Sequence, residues 1–135
     1  MRIPDTLLLA VCGFGADMSA PRVGEAIARG VRTGGMPEPD ICPIEDGPPA
    51  NFDTRMRRAR AVVFGAGRLD RDTLAGSDVF EIATRARQAG VPAYAVTGMN
   101  ELDAFDARVL DLQVILEANG MRGLSAAGRK LARVA

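Results

Sequence analysis

Histidine is absent from this chain, and lysine occurs once, at Lys130. Without histidine the chain has no Ser–His or Cys–His nucleophile pair, no histidine general base and none of the commonest metal ligand. Since the one lysine lies near the end of the sequence, the loops that follow the predicted strands contain no lysine. A Walker-type phosphate-binding loop is therefore excluded.

Cysteine, aromatic residues and long apolar runs are also scarce. Cys12 and Cys42 form no CxxC pair, so we interpret them as small buried hydrophobic residues, not as metal ligands. Aromatic residues make up 4% of the chain and the net charge is +0, which argues against a nucleic-acid-binding surface. No run approaches the roughly eighteen apolar residues of a membrane span, and residues 1–5 do not resemble a signal peptide. We expect a cytoplasmic protein that binds neither nucleic acid nor membrane and holds no metal.

What the sequence does contain is an alternation of apolar runs and amphipathic segments. Strands are predicted over residues 6–12, 40–44, 61–64, 91–97 and 112–116, separated by helical patterns, the last of which is weakened by Gly128. Such alternation predicts an α/β fold: a three-layer open, mostly parallel sheet of about five strands with helices on both faces. At 135 residues we expect one domain, residues 1–135, and the strand order stays open.

The segment of residues 61–76, AVVFGAGRLDRDTLAG, is the most informative stretch, because a β-branched and aromatic run leads into a polar sequence punctuated by glycine. In an open parallel sheet, ligands bind outside the carboxyl ends of the strands. We therefore predict a loop here that carries the candidate ligand-binding residues Gly65, Gly67, Arg68 and Asp70. Arg68 and Asp70 either bind a small anion together or pair with each other to shape the loop, and the glycines allow either close ligand approach or a turn.

Three further candidates lie in the loops after the first two predicted strands. Gly13 follows the first strand, and Ser19 is suited to cap the next helix and to contact an anion. Asp46 either coordinates magnesium or shapes a turn before two prolines. Separately, a cationic cluster (Arg55, Arg57, Arg58 and Arg60) is read as the solvated face of a helix or as a contact for an anionic partner.

Several of these segments resemble the bacterial glycerate kinases of the two-domain type. Residues 65–76, GAGRLDRDTLAG, resemble that family's GEGRxDxQTxxGK, and residues 90–98 continue the likeness. Residues 10–20, AVCGFGADMSA, resemble the family's APDSFKGSLSA, and residues 43–47, PIEDG, resemble the start of PxADGGEGT. The likeness covers the first fifty residues and residues 59–135, which are the two sequence ends of one nucleotide-binding-like domain in the family. The resemblance thus implies that domain alone, with the family's second domain deleted.

The departures from the family pattern fall on residues that carry charge. Cys12 stands where the family has an aspartate, Gly15 and Ser77 where it has lysines, and Ala66 where it has a glutamate. Two prolines replace part of the glycine-rich DGGEGT loop. Arg68, Asp70, Thr73 and Gly76 remain, so Thr73 joins the candidate ligand-binding residues on the strength of the resemblance.

Phosphoryl transfer depends on cations and metal-bridged oxygens around the phosphates, so these losses predict a catalytically degenerate domain. We expect it to bind a small anionic metabolite or to act as an interaction domain, with no cofactor and no assignable catalytic residue. A surface uncovered by the missing domain would favour a homo-oligomer. The alternative is a compact glycerate kinase that uses ATP and Mg²⁺ and completes its site with arginines of a second subunit. A structural partner of a separately encoded enzyme is a third hypothesis.

Overall fold

A computed structural model of the chain describes residues 4–135, so the first three of the residues compared with a signal peptide lie outside it. In the described residues, five strands form one all-parallel sheet in the order β2-β1-β3-β4-β5, with helices on both faces. The predicted α/β fold class is confirmed. The elements in chain order are β1 (Leu7–Val11), α1 (Ala20–Thr33), β2 (Asp40–Pro43), α2 (Phe52–Arg57), β3 (Ala61–Leu69), a 3₁₀ helix (Arg71–Leu74), α3 (Asp78–Ala89), β4 (Ala93–Asn100), α4 (Ala104–Leu110), β5 (Leu112–Glu117) and α5 (Gly120–Val134).

Serine is the N-cap residue of both α1 and α3. Ser77 caps α3 by accepting a hydrogen bond from the amide of Phe80, and Gly90 ends this helix in the left-handed conformation with φ of 71°. Ser19 occupies the N-cap position of α1, but its side chain makes no capping hydrogen bond. None of the helices in the described part of the chain is both long and apolar enough to cross a membrane.

The apolar core consists of one layer on each face of the sheet. On the first face, α1 and α5 cover residues such as Leu9 and Val63, which are fully buried. On the second face, α2, α3 and α4 cover residues such as Leu8 and Phe64. Because successive residues of a strand point to opposite faces, β1 is apolar at every position and is buried on both sides.

Helices α1 and α5 approach each other closely at glycines. A Cβ atom added at Gly30 would overlap the carbonyl oxygen of Ser125, and one added at Gly128 would overlap the carbonyl oxygen of Ile27. The hydroxyl of Ser125 also donates a 2.9 Å hydrogen bond to the carbonyl oxygen of Ala26. The prediction that Gly128 weakens the last helix missed this role. Glycine has a low helix propensity, but at this position its missing side chain allows α1 and α5 to come into close contact.

Strands β3 and β4 are longer than the sequence predicts. Gly65, Gly67 and Arg68, predicted to lie in a loop, belong to β3, where Arg68 pairs with Met99 and Leu69 pairs with Asn100 of β4. The loop prediction was wrong because β4 also continues past its apolar run and supplies hydrogen-bonding partners for the added residues of β3. The two strands thus project beyond the carboxyl end of β1, and the polar residues of the motif occupy the tip of this two-stranded extension.

Candidate functional site

The strand order places a topological switch point between β1 and β3. From β1 the chain passes through α1 to β2 on one side, and from β3 it passes through α3 to β4 on the other side. Connections that diverge in this way leave a crevice outside the carboxyl ends of the two strands, which is where open α/β sheets bind ligands. The loops after β1 and β3 therefore border the crevice in which a ligand would bind.

At this switch point the loop after β1 lies against β3. The Cα atom of Phe14 would lie 3.4 Å from a Cβ atom at Gly67, and a Cβ atom at Gly65 would lie 2.7 Å from a methyl group of Val11. Gly65 is buried, whereas Gly13 is exposed at the start of the loop. Gly65 therefore makes room for β1, whereas a Cβ atom at Gly67 would make only ordinary van der Waals contact with the loop after β1. Ligand contact at Gly13, Gly65 and Gly67 stays a prediction.

Two positions where the resemblance implies charged residues have distinct local environments. Gly15 has φ of 77°, a conformation that a lysine side chain would adopt only with strain. Cys12 is half-buried, and burial together with the nearby carboxylate of Asp78 raises the pKa of its thiol. The thiol form is thus favoured over the thiolate, so Cys12 does not have the features of a reactive cysteine.

Arg68 and Asp70, by contrast, are in contact. The Arg68 Nε atom lies 3.2 Å from Asp70 Oδ2, and its second guanidinium branch lies 2.6 Å from Glu101 Oε1. The hydrogen bond to Glu101 is the main cause of the raised pKa of the Arg68 guanidinium. The pairing that the sequence left as one of two alternatives is present, and Arg68 already has two counter-charges within the chain.

Asp70 and Thr73 also interact through the backbone of the 3₁₀ helix. The Asp70 carboxylate accepts a 3.0 Å hydrogen bond from the amide of Asp72, while the Thr73 hydroxyl accepts a 3.0 Å hydrogen bond from the amide of Asp70. This reciprocal arrangement is a capping box, which supplies partners for otherwise unpaired amide groups at the start of a helix. Thr73 is 6% exposed and so has little surface for a ligand.

Beside the 3₁₀ helix lies a cavity of about 420 Å³, which we call the acidic cavity. It lies between the 3₁₀ helix and the segment from Glu101 through the first turn of α4. Five of its six lining residues carry carboxylates. The lining residues are Asp70, Arg71, Asp72, Glu101, Asp103 and Asp106.

Asp46 and Ser19 are not joined to this group. Both are exposed, and the hydrogen bonds and ion pairs within residues 4–135 that connect Arg68, Asp70 and Thr73 do not include either of them. Gly47, next to Asp46, instead lies near the start of α3, where an added Cβ atom would be 3.7 Å from the Asp78 carboxylate. Side-chain contacts therefore join three of the eight predicted ligand-binding residues, namely Arg68, Asp70 and Thr73.

The cationic cluster extends over α2 to the start of β3. Arg55 lies beside the beginning of β2, where its Nε atom donates a 2.9 Å hydrogen bond to Asp40, and it shares a cavity with Arg58 and Thr6. Thr6 precedes β1 and Asp40 begins β2, so these contacts lie at the amino ends of the strands. The arginines there are thus separated by the length of the sheet from the carboxyl ends, where Arg68 lies.

Sequence reasoning missed Glu101, Asp103 and Asp106. Their signal was present as the sequence NELDAFD directly after the fourth strand, where an acidic run follows a strand end. Asp103 is also a helix cap, since its carboxylate accepts a 2.8 Å hydrogen bond from the amide of Asp106. The proximity of this run to Asp70 depends on how far β3 and β4 extend, which the sequence alone does not show.

A comparison with the sequence profiles of known protein families returns a match to this chain. A sequence profile of the glycerate kinase family matches residues 47–127, which is more than half of the 135-residue chain. The matched range includes β3, the 3₁₀ helix and the residues of the acidic cavity, whereas Gly13, Ser19 and Asp46 precede it. No curated protein matches the chain. The likeness to one domain that the motifs implied is thus supported over this range, and the chain belongs to the glycerate kinase family.

Proposed function

We propose that this chain is a catalytically degenerate member of its family that acts as an interaction domain. The observation that carries the proposal is the pairing of Arg68, the cation retained in the family motif, with Asp70 and Glu101. A guanidinium held by two carboxylates of its own chain has little remaining positive field to offer a phosphate. The five carboxylates around the adjacent cavity oppose an anion further.

The residues at the carboxyl edge do not fit a magnesium–nucleotide complex. Residues 12–19 contain no basic side chain. Within residues 4–135 no group of three or more acidic or cysteine side chains is arranged to hold a metal ion. Since phosphoryl transfer consists mainly of positioning and charge neutralisation, loss of these groups removes the parts that catalysis requires.

Of the two non-catalytic roles that the sequence leaves open, interaction is better supported than binding of an anionic metabolite. Phe105 and Val109 lie one turn apart on α4 and are 73% and 37% exposed. Apolar side chains grouped on one exposed face are typical of protein contacts. We therefore include self-association in the proposal, with this face of α4 as the contact surface.

The kinase alternative has one observation in its favour. Arg57 and Arg58, at the end of α2, are exposed, so either side chain could reach the site of a second subunit. An arginine can replace a lysine as an electrostatic clamp on a phosphate, so an assembly of two chains could supply the missing cations. This arrangement would still have to place a polyanion beside the acidic cavity.

An assay of ADP release separates the two functions. Pure protein is incubated with Mg²⁺, ATP and a panel of hydroxy acids that includes glycerate, beside the double variant Arg68→Ala, Asp70→Ala. We expect the same background rate for both proteins, because neither has the cations to stabilise the transition state. Turnover that is present in the natural chain and lost in the double variant would show that the chain is an enzyme.

Light scattering coupled to size-exclusion chromatography tests self-association. We expect an oligomer in the natural chain and a shift toward monomer in the variant Phe105→Ser, Val109→Ser. The matched control is Val134→Ser, which removes another exposed apolar side chain, 46% exposed, from the end of α5. A strict monomer at high protein concentration would refute the self-association part of the proposal.

A further inference from the structure

The acidic cavity contains a buried carboxylate without a partner. Asp106 lines the cavity and is only 7% exposed, yet its carboxylate makes no hydrogen bond or ion pair with another residue described in the structure. No side-chain polar atom that is fully enclosed lacks a partner in the described residues. The oxygens of Asp106 must therefore keep some access to the cavity that this residue lines.

A buried charge of this kind needs compensation. A carboxylate that is largely withdrawn from water and has no counter-charge is stabilised by a positive group that comes close to it. The other carboxylates around the cavity carry the same charge as Asp106 and cannot compensate it. The nearby cation Arg68 is already paired with Asp70 and Glu101. Arg71 is the one cationic residue that lines the cavity, and it forms no ion pair among the described residues.

We propose that the acidic cavity binds a small organic cation through an ammonium or guanidinium group, with Asp106 as its buried counter-charge. The five carboxylates outnumber the lining Arg71 and the adjacent Arg68 together, and this excess of negative charge favours a cation. The described carboxylates do not group in the manner of metal ligands. A cavity of about 420 Å³ is also far larger than a bare ion needs and lies in the range of small-molecule sites.

This inference goes beyond the proposed interaction role and is independent of it. A non-catalytic domain with an empty acidic cavity remains an interaction domain, and a cation-binding domain remains non-catalytic. ADP release in the kinase assay would refute the non-catalytic role without bearing on cation binding. Failure to bind a cation would leave the non-catalytic role unchanged.

Agmatine is the probe, because it carries both a guanidinium and an ammonium group, and its binding is measured by titration calorimetry at low ionic strength. We expect saturable binding to the full chain, and a loss of affinity of about tenfold or more in Asp106→Asn, the effect of removing one charge-assisted hydrogen bond. Glu45→Gln is the matched control, since it removes an exposed carboxylate from another loop and should leave the affinity unchanged. Arg71→Gln should bind at least as tightly as the natural chain.

A second measurement keeps the test decisive if Asp106→Asn binds poorly for reasons of folding. Without agmatine, this variant should have a higher thermal midpoint than the natural chain, because it no longer buries an unpaired charge. Asp72→Asn, at a more exposed residue of the same cavity, should give a smaller loss of affinity. Three results would each overturn the proposal. They are no agmatine binding, an equal loss of agmatine affinity in Asp106→Asn and Glu45→Gln, and displacement of agmatine by Mg²⁺ at a concentration below that of agmatine.

Discussion

The α1–α5 face and the tip of the β3–β4 extension differ in what determines their geometry. Between α1 and α5, backbone meets backbone at Gly30 and Gly128, so the contact leaves no room for even one additional methyl group. At the tip of the extension, Arg68, Asp70 and Glu101 form ion pairs around a cavity. The first region is fixed by steric exclusion and the second by charge.

This difference separates stability from function in the molecule. Steric exclusion in a close-packed layer tolerates few substitutions and offers no surface to a ligand. Charged groups that are partly exposed contribute little to folding, because solvent screens them, and so they are free to be selected for binding.

The largest effect is expected at the helix contact. Gly30→Ala should lower the free energy of unfolding by about 3 kcal/mol or more, since the new methyl group would overlap the backbone of Ser125 and force α1 and α5 apart. Urea denaturation followed by circular dichroism measures the change. Gly123→Ala in α5 is the control, because its Cβ atom would meet ordinary contacts at 3.6 Å and longer, and should be neutral or stabilising. Equal losses in both variants would show that helix contact is not the cause.

An intermediate effect is expected at the capping box. Thr73→Val should cost about 1 to 2 kcal/mol, because the amide of Asp70 loses the hydroxyl oxygen that accepts its hydrogen bond. Thr73→Ser keeps that oxygen and should recover most of the loss. The comparison uses urea midpoints under identical conditions. If serine fails to rescue, the methyl group of Thr73 and not its hydroxyl stabilises the 3₁₀ helix.

At Cys12 the expected effect is on the rate of thiol alkylation and not on stability. Burial and the Asp78 carboxylate raise the pKa of the Cys12 thiol, so less thiolate is present in the folded chain than in the unfolded chain at the same pH. Iodoacetamide should therefore alkylate Cys12 more slowly in native protein than in urea, with a rate that keeps rising at pH values above the ordinary range for thiols. Peptide mapping by mass spectrometry measures this. Rapid native labelling at neutral pH would contradict it.

The smallest effect on folding is expected at Arg68. Its side chain is 59% exposed, so Arg68→Gln should leave the thermal midpoint almost unchanged at physiological salt despite the loss of two ion pairs. Any small decrease at low salt should vanish as salt is added, because screening weakens the same ion pairs in the natural chain. A large, salt-independent decrease would place Arg68 with the structural residues and remove the contrast between the two regions.

Local sequence is sufficient to predict the α/β fold class that the structure has. Alternating apolar and amphipathic segments require a layered α/β sheet, and the capping role of Ser77 and the left-handed Gly90 follow from local chemistry. The family motif around Arg68 was also readable, because it lies within one continuous segment that the family profile matches.

The strand order, the lengths of β3 and β4 and the acidic cavity depend on contacts between segments that are distant in the chain. Strand length depends on whether a neighbouring strand supplies hydrogen-bonding partners, and no residue within β3 carries that information. The same holds for Asp106, whose burial beside Asp70 arises from two segments more than thirty positions apart in the chain. Local patterns encode what a segment prefers, whereas contacts between distant segments decide which charges meet and which remain unpaired.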